Sequence, residues 1–97
     1  MKSTIEQIQQ IVSNVTAVSV QQIISPSRKA NIVQARHLSM YFSRFNTNNN
    51  LLAIAKQHGR DNHATVIHAT ACIHQDRKSN KALSEMYQQI ESTIKNS

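Results

Sequence analysis

Ile5, Ile8, Ile11, Val12 and Val15 recur at steps of three, three, one and three, which places them on one face of a helix over residues 4–15. Ser3 stands before this run with Glu6 three positions on, the spacing of a capping box. A second, shorter helix is expected over residues 19–24, opened by Ser19. Ser25-Pro26-Ser27 ends it, because proline has no N–H for the ladder and restricts its neighbour. The longest element spans residues 30–46, where Ile32, Ala35, Leu38, Phe42 and Phe45 form a stripe widened by Val33, Met40 and Tyr41. Such a helix is expected at the centre of the fold, with Tyr41, Phe42 and Phe45 in the core. A polar asparagine-rich loop to Asn50 follows, then a short helix over residues 51–57 with Leu51, Ile54 and Ala55 inward. Gly59 can take the left-handed backbone of a tight turn. A further helix is expected from near Asn62, with Val66, Ala69 and Ile73 inward, then a polar break over residues 75–79. Leu83, Met86, Tyr87, Ile90 and Ile94 mark a last amphipathic helix.

The pattern predicts an all-α chain of about six helices. Length agrees, since 97 residues bury one modest core and read as a single domain over residues 1–97. One glycine and one proline are too few for a chain of hairpin turns. A lone glycine also excludes the phosphate-binding loops of nucleotide hydrolases and dinucleotide enzymes, so no nucleotide and no cofactor is expected. No apolar run suits a membrane span, and residues 1–6 lack the apolar core of a secretory signal. With one cysteine, Cys72, the expected setting is reducing and cytoplasmic.

Charge adds a direction. The net charge is +6, and its distribution is uneven. Between Glu6 and Asp61 there is no acid, while Arg28, Lys29, Arg36, Arg44, Lys56 and Arg60 all fall there. Such a stretch builds a positive field that attracts phosphate, though an ordinary solvated basic surface has the same composition. Two short helices joined by a glycine-bearing turn, behind a long supporting helix, suggest a helix-turn-helix. His63, Ala64, Thr65 and His68 fall on the face of the second helix opposite Val66 and Ile73. They are small or hydrogen-bonding residues, which suit base edges better than a core.

Residues 27–41, Ser-Arg-Lys-Ala-Asn-Ile-Val-Gln-Ala-Arg-His-Leu-Ser-Met-Tyr, resemble the basic loop and following helix of the C-terminal DNA-binding domain of the bacterial replication initiators, the DnaA family. Residues 59–69, Gly-Arg-Asp-Asn-His-Ala-Thr-Val-Ile-His-Ala, resemble that domain's signature, commonly Gly-Gly-Arg-Asp-His-Thr-Thr-Val-Leu-His-Ala. The resemblance runs from Thr4 to about Ile94 and implies a fold of the Trp-repressor and DnaA C-terminal kind. It implies that Arg28 enters the minor groove, where narrow A·T-rich DNA has enhanced negative potential. Lys29 would lie on a neighbouring phosphate. Asn62, His63, Ala64, Thr65 and His68 fall on the recognition positions, with double-stranded DNA as the partner.

Two departures stand out. Asn62 replaces the family's aspartate, which accepts from a cytosine amino group; asparagine both donates and accepts and pairs with adenine. The family's arginine is displaced to Arg60, with Asp61 in its place. The nucleotide-binding motor that precedes this module in the family has no counterpart in these residues, so DNA binding without helicase loading is expected. The scaffold could instead serve transcriptional regulation or dock a separate initiator or regulatory protein. Arg36 is read as structural, paired to Asp61 or another acid, as readily as on a phosphate. His68 and Cys72 are four apart and could share a metal, but no zinc-type spacing completes a site, so none is expected. Cys72 has no evident base, and no enzyme activity is expected.

Overall fold

A computed structural model describes residues 3–96. Among the described residues the chain forms six helices and no strand: α1 (Ile5–Thr16), α2 (Val20–Ile23), α3 (Ala30–Asn46), α4 (Leu51–Gln57), α5 (Ala64–Asp76) and α6 (Lys81–Lys95). The boundaries of α3 and α4 are those the hydrophobic pattern predicts. Two starts differ. At α1 the capping box is one residue later than expected: Thr4 Oγ1 accepts from Gln7 N–H, and Gln7 Oε1 accepts from Thr4 N–H. Ser3 instead donates its backbone N–H to the Asn46 carbonyl. At α2 the expected serine cap is present, with Ser19 and Gln22 exchanging the same pair of bonds. The polar break after α5 is also shorter than expected, because α5 continues to Asp76.

α3 runs through the middle. α1 and α2 pack on one part of it, α4 and α5 on another, and α6 lies on α1. The apolar stripe therefore divides between two clusters. One joins Ile8, Val12, Ile23, Leu38, Phe42, Ile73, Leu83 and Ile90 from both ends of the chain. The other joins Ile5, Met40, Ile54, Ala55, Val66 and Ala69, and it sets the helix-turn-helix pair α4–α5 against α3. Tyr41 and Tyr87 bring their hydroxyls to 2.8 Å inside the first cluster, so two buried polar atoms satisfy each other.

One expected core residue is outside. Phe45 is 51% exposed, on the last turn of α3, beside the Arg44 guanidinium 5.4 Å from its ring centre. It touches the edge of Tyr41 but has no further layer above it. No helix of the described residues is long and apolar enough to cross a membrane.

Candidate nucleic-acid interface

The turn between α4 and α5 is built by its glycine. Gly59 has φ +74°, and a Cβ there would stand 2.5 Å from the Ile24 carbonyl oxygen. Only glycine allows both the left-handed backbone and this close approach to the end of α2. The backbone N–H groups of His58 and Arg60 both donate to the Ala55 carbonyl, which closes α4.

α5 begins later than expected, at Ala64, and His63 gives no side-chain cap. Asn62 does that work from one residue further out. Its Oδ1 accepts from Ala64 N–H at 2.8 Å, and its carbonyl accepts from the Thr65 hydroxyl at 2.9 Å. The consequence is chemical. The cap engages one lone pair of the Asn62 amide oxygen and fixes the amide's orientation, leaving the second lone pair and the Nδ2 donor to face a base. Asn62, His63, Ala64 and His68 are exposed and Thr65 is half-buried. Val66, Ala69 and Ile73 are buried on the opposite face, as the periodicity predicts.

Arg28 and Lys29 are exposed in the loop before α3. Lys29 is the N-cap residue of α3 and makes no side-chain cap bond, so the first turn of that helix keeps free amides beside the two cations. Arg28 lines a shallow depression of about 290 Å³ with Gln34, His37, Cys72 and Asp76. A second depression, of about 300 Å³, is lined by His37, Arg36, Arg60, Asn62, Ala64, Thr65 and His68. His37 belongs to both. The basic loop and the start of α5 therefore open on the same side of the molecule, one on each flank of His37.

The described cations of that side form no direct ion pair, although Asp76 lines the Arg28 depression. Among the described residues the only ion pair joins Lys95 and Glu91, on α6. The expected pairing of Arg36 with an acid is not found. Arg36 is buried and donates to three carbonyls: Nε to Ile23 at 2.8 Å, and one terminal nitrogen to Ser25 at 2.7 Å and Ser27 at 2.9 Å. Burial, then the nearby Arg60 cation, lower its pKa. His37 meets the ring of His68 edge-on at 5.6 Å. Burial, and then His68 and Arg36, push the His37 pKa down, with Asp76 opposing weakly. Arg44 reaches Thr70 Oγ1 at 3.2 Å and is spent on the α3–α5 contact.

Cys72 Sγ lies 3.4 Å from His68 Nε2. Burial and Asp76 raise the thiol pKa, which keeps it protonated and weakly reactive. Among the described residues no three histidine, cysteine or acidic side chains gather as metal ligands do.

A family profile described as the bacterial dnaA protein helix-turn-helix matches residues 5–73. The chromosomal replication initiator proteins DnaA of two strains of Porphyromonas gingivalis are each 41% identical to the chain over 93 residues, 96% of its length. The chain belongs to the bacterial DnaA helix-turn-helix family. It therefore carries that family's helix-turn-helix domain. It spans about a fifth of the length of those DnaA relatives. The stretch shared with the DnaA profile takes in the basic loop, α3, the glycine turn and α5 through Ile73. His37 was not singled out from the sequence, its one signal being a place in the acid-free basic stretch, and Arg60 was marked there only as the displaced family arginine, not as a contact to the Arg28 loop.

Proposed function

We propose that this domain binds a short site in double-stranded DNA, related to a DnaA box, with α5 in the major groove and Arg28 in the adjoining minor groove. The observation that carries the reading is the position of His37, which borders both the Arg28 loop and the first turns of α5. One duplex can meet both segments without wrapping the protein. Lys29 and the uncapped first turn of α3 would take a phosphate between them. His63 and His68 offer hydrogen bonds to base edges or phosphate. Ala64 and the methyl group of Thr65 suit a thymine methyl, since the Thr65 hydroxyl is engaged with Asn62. Asn62 Nδ2 would donate to a base acceptor. The domain acts as a binding module, without catalysis, cofactor or nucleotide of its own. Its role is in replication initiation or its control, on DNA in the cytoplasm, with a separate initiator or regulatory protein as a further partner.

Selection from a random duplex library, followed by anisotropy titration of the selected site, tests this. Affinity should fall steeply between low and physiological salt, with a log–log slope near −0.9 per phosphate contacted. Arg28→Ala should weaken A·T-rich sites most. No enrichment from the library, or a flat salt response, would refute the reading and leave a scaffold that binds protein.

A further inference from the structure

The loop that carries Arg28 and the turn that launches α5 are joined at one atom. The Ser25 carbonyl oxygen accepts from a terminal nitrogen of Arg36 at 2.7 Å and from one of Arg60 at 3.2 Å. Two guanidiniums meet there with no carboxylate in an ion pair with either. Their roles differ. Arg36 projects from α3 and fastens the loop to the helix behind it through three carbonyls. Arg60 comes from the opposite side. Its backbone N–H is fixed on the Ala55 carbonyl at the end of α4, and its other terminal nitrogen reaches the His58 and Gly59 carbonyls. Arg60 is therefore a strut from the α4–α5 turn to a point three residues before Arg28. The Gly59 contact with the Ile24 carbonyl lies beside it and presses the same two segments together.

We propose that Arg60 is a positioning residue for DNA recognition, holding the Arg28 loop at a fixed offset from the start of α5 and so setting the spacing of the two groove contacts. This rests on the two-groove reading above. Like charges at one carbonyl are a costly way to build a joint. The cost falls when a phosphate lies against the depression that Arg36 and Arg60 both line, so DNA would tighten the same joint that aims Arg28. A flexible loop would accept several spacings, whereas a fastened one accepts one.

Anisotropy with three duplexes tests this. Each carries the selected core and an A·T-rich step, at the selected spacing or with one base pair added or removed. Wild type should prefer one spacing by about tenfold, the size of one mismatched contact. Arg60→Ala should bind all three within about threefold of one another. Arg60→Lys keeps the charge and one donor, and should recover part of the preference at an unchanged salt slope. In the free protein, amide hydrogen exchange over residues 25–28 should quicken in Arg60→Ala while α5 stays as protected as before. If Arg60→Ala weakens all three duplexes equally, or leaves spacing preference and exchange as they were, the positioning role is overturned. If wild type binds duplex but ignores spacing, the two-groove reading fails instead, and the exchange result still reports whether Arg60 holds the loop.

Discussion

Acid should loosen the helix-turn-helix chiefly through one side chain, His58. It is fully buried at the end of α4, with Nδ1 2.8 Å from the Ile54 carbonyl and Nε2 2.6 Å from Ser39 Oγ. A carbonyl oxygen can only accept, so Nδ1 carries the proton. Nε2 then accepts from the Ser39 hydroxyl, and the ring is neutral. Burial penalises the cation most. The bond to Ile54 works the other way, and the Arg36 and Arg60 charges add to the burial, leaving the pKa at about 4 against an ordinary 6.5. Because the folded value is depressed, the unfolded chain takes up the proton first as pH falls. The contribution of neutral His58 is whole above about pH 6.5 and is lost progressively toward the folded value near 4. The full separation corresponds to about 3 kcal/mol, of which about 2 kcal/mol falls between pH 7 and 5. Against a domain stability of roughly 5–15 kcal/mol, that is a measurable share.

The assay is urea unfolding followed by circular dichroism at several pH values, for wild type and His58→Gln. The glutamine keeps polar atoms in the site but cannot titrate. It should be less stable at pH 7, and its deficit should shrink by about 2 kcal/mol on going to pH 5. Contributions from the other titrating groups, including His37, whose lowered pKa has the same sign, are common to both proteins and cancel. A wild-type-to-mutant difference that is the same at pH 7 and pH 5 would refute the assignment of a buried, neutral His58.

Gly59→Ala should cost about 1–3 kcal/mol, since it combines a left-handed backbone with a Cβ 2.5 Å from the Ile24 oxygen; an unchanged melting temperature would show that the turn can relax. Ser43 Oγ is buried with no hydrogen-bond partner, so Ser43→Ala should be neutral or stabilising by up to about 1 kcal/mol, and a clear fall in melting temperature would reveal a partner. Asn62→Asp keeps the acceptor that caps α5 and adds a charge favourable at a helix start. It should raise or maintain the melting temperature while weakening duplex binding and changing the base preferred at that position. A loss of thermal stability would mean that the cap is not formed as described.

Periodicity made the helices legible because burial at steps of three and four is a property of sequence order alone. The ends of α3 and α4 were legible too, since polar residues bound the apolar runs on both sides. What periodicity does not carry is how far the core extends. Phe45 lies on the same stripe as Leu38 and Phe42, but in the last turn of a 17-residue helix, where half of its surface stays exposed. Helix starts failed differently. Ser3 and Thr4 are both good caps, each with a Glu or Gln three positions on, and only the backbone path selects Thr4. The start of α5 was placed too early because Asn62 caps through its side chain from outside the helix, whereas His63 gives no cap bond.

The candidate site was legible in its residue types and only partly in its division of labour. A count of charges along the chain treats Arg28, Arg36, Arg44 and Arg60 alike and looks for acids to pair them. The partners of Arg36 and Arg60 are carbonyls, which every residue possesses, so no pattern of side chains marks them. Once those bonds are known the acid-free stretch separates. Arg36 and Arg60 hold backbone together, and Arg44 is spent on Thr70. Arg28 and Lys29 remain exposed to meet an external anion. The fastening arginines keep their positive charge while serving the fold, so they add to the field that draws phosphate toward the exposed cations of the stretch, Arg28, Lys29 and Lys56. That double use places part of the positive charge of this stretch on fixed side chains rather than mobile ones.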